Sequence, residues 1–517
     1  MIRHGHLVLV LPVFMSVGSC GGERNLDPPV PASSPWLLTY EYNDGYFTGT
    51  RRAHRVHEGK VEHVILESSA LNSVLWSPTG RWVAFTIRLP NGAMGVSLRR
   101  FDGERWYDPQ LVTPLNEGEH VSVIGWSPAH DQLLYTSRTL DSGYVTVAVA
   151  TPRDDGSIAT NVIGSRDSIR ANWASKGDRI WLLRGHETNA RIVMVDVRTD
   201  DLDSAWSSRE ISPPEGASFG DSPYSHGGPG WTLSSDGRWI VVPVTTEDGA
   251  PTVLRAVSTM GEDAPAALDA CPVGRRAAAT GDRCSPSGWL PQGATLLIDR
   301  WKVDGSASID AWSPATGAVV SLGNVKYEGW VGQSGMRILL RDLVSNRLSI
   351  VDMGDGSKIE VPTTDQPTFT AATRSYDGRW LVLDHRDDRA GWFGVLDLWS
   401  APPWQPREVH ADGLGLTLMP YWSPGGRFLF LVREFSPKLQ KGVRIDLEAA
   451  AARTIDVSVP PDPTVWRWDA KVADDDRSVA IDRDGMLAVW QMDAPVESAI
   501  VIDGVTSSME VTWAPTK

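Results

Sequence analysis

Apolar residues in this chain fall in short runs, and a tight polar turn separates one run from the next. One unit recurs: an apolar or aromatic approach, a turn, then a second apolar run. Its clearest copy is Leu75-Trp76-Ser77-Pro78-Thr79-Gly80-Arg81-Trp82-Val83-Ala84-Phe85, and Tyr421-Trp422-Ser423-Pro424-Gly425-Gly426-Arg427-Phe428-Leu429-Phe430 repeats it. Gly125-Trp126-Ser127-Pro128 leads into Leu133-Leu134-Tyr135, and Asn172-Trp173-Ala174-Ser175 into Ile180-Trp181-Leu182-Leu183. Ser234-Ser235-Asp236-Gly237-Arg238-Trp239 and Ser375-Tyr376-Asp377-Gly378-Arg379-Trp380 keep the turn but shift or lose the tryptophan. Copies near Gly293, Gly335 and Asp476 are degenerate. Anchored on the turn glycine or its equivalent, the copies lie 42 to 60 residues apart, the range of a propeller blade.

The chemistry of the unit predicts strands. In Ser-Pro-x-Gly, proline presets φ and glycine accepts a positive φ, so the segment is a turn. The run after it is β-branched and aromatic, too short for a stable helix, and apolar on both faces, as in a strand buried between packed sheets. A third strand often ends in aspartate, as in Ile192–Asp196, Leu348–Asp352 and Val443–Asp446. A fourth follows, such as Thr454–Val459, which makes four strands per unit.

The ends fit each other. The chain enters the pattern at the second-strand stage, with Trp36–Tyr42, then Tyr46–Arg55 and Val61–Glu67. The missing first strand stands at the other end, Met509–Pro515, and the chain stops at Lys517. The expected fold is therefore all-β, a single large propeller of eight to ten four-stranded blades over residues 36–517. Pairing of the N- and C-terminal strands closes it, so that no open edge is left.

The Trp-Ser-Pro-x-Gly-Arg motif resembles the TolB-type, WD40-like propeller repeat, which also occurs in propeller domains of prolyl-oligopeptidase-like enzymes. The resemblance covers nearly all of residues 36–517 and is strongest at Trp76, Trp126, Trp173 and Trp422. It implies a fold and says little about activity, because the repeat occurs on many unrelated proteins.

The leader sets the expected address. Arg3 with His4 and His6 precedes the apolar run Leu7–Met15, too short to span a bilayer but suited to an export signal over residues 1–19. Val17-Gly18-Ser19-Cys20 resembles the lipobox of bacterial lipoproteins, which implies diacylglycerol and a further acyl chain such as palmitate on Cys20. The alternative is an ordinary cleaved signal. Gly21 after the cysteine favours the outer membrane, with the protein facing the periplasm. Residues 20–35, rich in proline and small polar residues, read as a flexible tether.

Loss of Arg3 with the leader takes the formal net charge from −15 to −16. An acidic chain without a basic cluster is a poor ligand for nucleic acid. The 23 tryptophans exceed ordinary usage, and the repeat accounts for many of them. Beyond Cys20 only Cys271 and Cys284 remain, twelve residues apart. In an oxidising compartment they are expected to pair and staple a loop; two free thiols are the alternative.

No catalytic constellation is expected. Gly216-Ala217-Ser218-Phe219-Gly220 fits G-x-S-x-G, and His226-Gly227-Gly228-Pro229-Gly230 resembles an oxyanion segment of α/β-hydrolases. A nucleophile elbow needs a strand before the serine and a helix after it, whereas prolines flank this one on both sides, so a glycine-rich loop is the expectation. His54, His57 and His63 are close in sequence, but strand spacing separates His54 from the other two, and hairpin histidines are expected rather than a metal site. Asp474–Asp476 and Asp482–Gly485, like Asp154–Gly156, read as turns. No cofactor motif is present. The function these readings support is an envelope-anchored scaffold that binds a protein or ligand. The alternative is a propeller enzyme, a polysaccharide lyase or hydrolase, with its site in the central funnel.

Overall fold

In a computed structural model of the chain, the repeated turn is built around its serine. Ser77 is buried; its amide donates to the Trp82 carbonyl at 2.8 Å and its carbonyl accepts from Gly80 N–H at 2.9 Å. Its hydroxyl accepts from the Trp82 amide at 3.1 Å. The same bracket joins Ser234 to Trp239, Ser375 to Trp380 and Ser423 to Phe428. The serine therefore ties the turn to the first residue of the next strand, and a buried polar group is satisfied in doing so.

The structure describes the strands from Trp36 to Trp513 and most of the tight turns between them. Residues 1–35 and 514–517 lie outside that description, as do many connections, among them 43–48, 220–231, 273–282, 456–467 and 503–510. Among the described residues there is no helix. The strands form nine sheets, each an antiparallel meander of neighbours in sequence. Seven have four strands and one, over 217–272, has five. The remaining sheet has seven strands and divides into two four-stranded halves along the single strand Lys60–Trp76. The upstream part of that strand pairs with Gly49–His57 and its end with Trp82–Arg88. There are thus ten four-stranded modules, numbered 1 to 10 below. They span 36–70 with 511–513, 70–112, 119–164, 168–211, 217–272, 283–323, 325–360, 369–409, 416–455 and 468–502.

The end-to-end pairing predicted from sequence is present: Leu37 lies opposite Trp513, Leu38 opposite Thr512 and Thr39 opposite Val511. Two sequence readings change. Val61–Glu67 and Leu75-Trp76 belong to one 17-residue strand that serves two modules. Ala217–Phe219, read as loop, is a strand paired to 244–246. The stretch 232–233 pairs with the same strand at 240–241, so two segments, 217–219 and 232–233, stand at the first-strand position of module 5.

The core lies between consecutive modules. Trp82, Leu98, Leu133 and Tyr135 join modules 2 and 3; Leu134, Trp173 and Ile180 join 3 and 4. Trp181, Phe219 and Ile240 join 4 and 5, and Trp239, Leu296 and Trp312 join 5 and 6. Leu297 and Ile338 join 6 and 7, Leu339 and Leu381 join 7 and 8, and Trp380 and Leu429 join 8 and 9. The first strand of module 10 touches module 9, and Leu37 of module 1 packs on Ala480, Leu487 and Ile502 of module 10. Leu38 and Val83 complete the series between modules 1 and 2. Each sheet buries both faces, which is why its second and third strands read as continuous apolar runs.

Candidate functional site

The first strand of each module carries the features that vary most. In the regular case its tryptophan reaches back one module. The indole N–H of Trp126 donates to the Leu75 carbonyl at 2.9 Å, that of Trp173 to Gly125 at 3.0 Å, that of Trp289 to the Thr232 hydroxyl at 2.8 Å and that of Trp422 to the Thr373 hydroxyl at 2.9 Å. In each case the acceptor is the residue just before the tryptophan position of the preceding module. The turn glycines pack the same way. A Cβ at Gly177, whose φ is +70°, would lie 2.4 Å from the Ser127 hydroxyl, so this glycine answers both a backbone and a packing demand.

First strands also share a break in register. Bulges lie between Val123 and Gly125, Pro286 and Gly288, Tyr327 and Gly329, and Leu418 and Pro420. In module 5 the first-strand position is shared by two segments, 217–219 and 232–233. Bulges re-aim side chains and are frequent beside functional sites.

Several arginines in the turns or at the start of the strands that follow are paired. Arg179 meets Asp196 at 3.1 Å and Arg337 meets Asp352 at 3.1 Å; Arg427 meets Asp446 at 2.9 Å. These are the aspartates that end the third strands in the sequence pattern. Others bridge modules: Arg81 to Asp154 at 2.8 Å and Arg379 to Glu448 at 3.2 Å. Asp154, read from sequence as a solvated turn residue, is therefore also an inter-module partner.

The junction of modules 7 and 8 departs from the pattern. Arg374 stands where the tryptophan of module 8 would be, opposite Leu381 as Trp422 is opposite Leu429. Trp330 of module 7 holds the usual tryptophan position, opposite Ile338 as Trp422 is opposite Leu429. Its ring lies under the Arg374 guanidinium, 5.1 Å from centroid to Cζ. Gly329 makes the room: a Cβ there would lie 2.0 Å from the Arg374 Nε. Burial holds the Arg374 pKa below the usual arginine value, and burial raises that of nearby Tyr327. Beside them Glu328, the bulged residue, accepts from Arg341 Nε at 2.8 Å and from Lys326 Nζ at 3.2 Å.

A second polar position lies on the face of module 1 turned toward module 10. His54 is buried, and its Nε2 is 2.9 Å from the Thr39 hydroxyl. Burial, then the positive charges of His63 and Arg52, lower its pKa from 6.5 to about 4. His63 is its direct cross-strand partner, so the sequence reading that separated His54 from both other histidines is corrected. The hairpin folds the chain back and places residues nine apart on one face. His63 itself is exposed. Among the described residues no three metal-ligating side chains converge.

Ser218, the candidate nucleophile, sits inside a paired strand opposite Thr245, with buried Phe219 beside it, and no elbow forms. His226–Gly230 and Asp474–Asp476 lie outside the described residues. So does Cys20. Cys284 is buried and disulfide-bonded, at the start of the first strand of module 6, while Cys271 stands near the end of the last strand of module 5.

The fold and these junctions define a class: an all-β protein of four-stranded, propeller-type modules. No family model matches the chain, and no curated protein matches it. Solved structures with a similar course of chain include a eukaryotic initiation factor (11% identity, 94% of this chain and 99% of that one, TM-score 0.49). Dipeptidyl peptidase 4 of Porphyromonas gingivalis shares 8% identity over 83% of this chain and 66% of that one, with a TM-score of 0.42. TolB of Acinetobacter baumannii shares 13% over 72% and 77%, with a TM-score of 0.23. At these values the likenesses assign neither an activity nor a partner.

Proposed function

We propose that this chain is an exported lipoprotein whose body is a single closed ten-bladed propeller, and that it binds a protein partner in the cell envelope. The observation that carries closure is the pairing of Leu37–Thr39 with Val511–Trp513, together with the packing of module 1 on modules 10 and 2. In a closed ring the first strands line the axis, and their bulges place the features that differ most between modules there. Binding is favoured over catalysis because the one nucleophile motif is folded into a strand.

Cys20 carries the lipid in this reading, residues 20–35 form the tether, and the outer membrane facing the periplasm is the address. Lipid on Cys20 is tested by metabolic labelling with palmitate: the intact chain takes up label and Cys20→Ser does not. Label on both would refute it. Cys271 is the partner of Cys284, and the bond ties the last strand of blade 5 to the first of blade 6. Partner binding is tested by cross-linking in the envelope followed by mass spectrometry. One dominant protein adduct supports the scaffold; a ladder of unrelated adducts no richer than for an unrelated lipoprotein contradicts it.

A further inference from the structure

Among the described residues, the junction of modules 7 and 8 presents donors without acceptors. Arg374 makes one hydrogen bond, from NH1 to the Ser375 carbonyl at 3.3 Å, and stacks on Trp330. Among the described residues no carboxylate pairs with it. The turn arginines Arg379 and Arg427, the strand-opening Arg179 and Arg337, and the neighbouring Arg341 each have one. The contrast stands in a chain with 64 acidic residues against 49 basic ones, where a counter-ion is easy to supply. The indole N–H of Trp330 likewise donates to nothing among the described residues, as is also true of Trp36, Trp76, Trp106 and Trp312, whereas Trp126, Trp173, Trp289 and Trp422 each donate to the preceding module. Both side chains are half-buried, neither sealed in nor free in solvent.

A partly desolvated guanidinium normally has a counter-ion, and its planar fork fits a carboxylate through two parallel N–H···O bonds. Lys326 and Arg341, the nearest cations along the strands, are already committed to Glu328. One uncommitted positive charge suits a group with one negative charge. A multiply charged ligand would meet the field of a chain at −15.

We propose that Arg374 and Trp330 form a receptor for a single carboxylate carried by a peptide segment of the partner, at its C-terminus or on a side chain. This rests on the reading of the chain as a protein-binding module. The carboxylate takes the guanidinium edge left open by Gly329 and Ser375, and the indole face holds that edge flat.

The test uses the full chain labelled with 5-fluorotryptophan, the Trp330 resonance being assigned by its loss in Trp330→Phe. The probe is acetyl-Ala-Ala with a free terminal carboxylate, titrated at constant ionic strength against the same peptide as its amide. The acid should move the Trp330 resonance saturably and the amide should not. Arg374→Gln should weaken the response at least tenfold while the Trp173 resonance stays in place. If Arg374→Gln does not fold, Arg374→Lys, which keeps the charge but not the fork, should weaken it several-fold. No saturable shift in the intact chain, an equal shift with the amide, or an undiminished response in the arginine variants would overturn the proposal. A partner cross-linked to a chain that ignores the peptide acid removes this site alone. A clear response to the acid with no envelope partner removes the scaffold reading and leaves the site.

Discussion

Two junctions, between modules 3 and 4 and between modules 7 and 8, solve the same problem in different ways. At the first, Trp173 buries its ring and passes its N–H to the Gly125 carbonyl, while Gly177 lets the turn close on Ser127. At the second, arginine replaces the tryptophan, Trp330 turns toward it, and Gly329 clears the space. The first arrangement is neutral and complete within the chain. The second keeps the packing but leaves a charge and an indole donor open. Regular junctions therefore supply stability, and the irregular one is where the proposed carboxylate site lies.

The comparison breaks most visibly at the regular junction. Trp173→Ala should destabilise the chain by about 4 kcal/mol in chemical denaturation, through a lost aromatic and the cavity it leaves. Arg374→Leu should lower stability by less than about 1.5 kcal/mol, because a half-buried unpaired charge is removed along with some packing.

A third junction, between modules 10 and 1, sharpens the contrast by pH. His54 has a lowered pKa in the folded chain, so the unfolded chain binds its proton first on acidification. Its contribution is intact above pH 6.5, is lost as pH falls from 6.5 toward about 4, and changes no further below that. The loss is about 3 kcal/mol at 1.36 kcal/mol per pH unit. It should appear as the difference between the parent chain and His54→Gln in denaturation curves across that range. No difference would mean that the imidazole is not buried at this junction.

Smaller effects separate backbone demand from mere position. Gly177→Ala should cost about 2 kcal/mol, since it meets both a positive φ and the neighbouring turn. Gly125→Ala should cost under about 1 kcal/mol, because nothing lies within 4 Å of the added carbon. Equal losses in thermal melts would contradict the inter-module role of the turn glycine.

What was legible in the sequence was local. Ser-Pro-x-Gly reports its own turn, and the runs after it report strands buried on both faces, so the modules and even the matching ends could be read. The acceptors of the tryptophan N–H groups could not, because each lies about fifty residues upstream and only the packed sheets bring it near. The pairing of His54 with His63 was misread because parity along one strand does not survive a hairpin. The 17-residue strand was split because Ser68-Ser69 and Asn72-Ser73 look like a connection, although the strand passes through them to a second sheet. Arg374 was visible as a lost tryptophan in the repeat. That Trp330 meets Arg374 depends on how the sheets of modules 7 and 8 pack, which the residue pattern does not encode.

The account stands on the first module being completed by the last strand. Cysteines placed at the paired positions Thr39 and Val511 provide the direct measurement, with mass spectrometry of the oxidised, non-reduced chain. A linked peptide containing both positions within one monomer is the predicted product. Linkage only between molecules, or none at all in a folded chain, would contradict it.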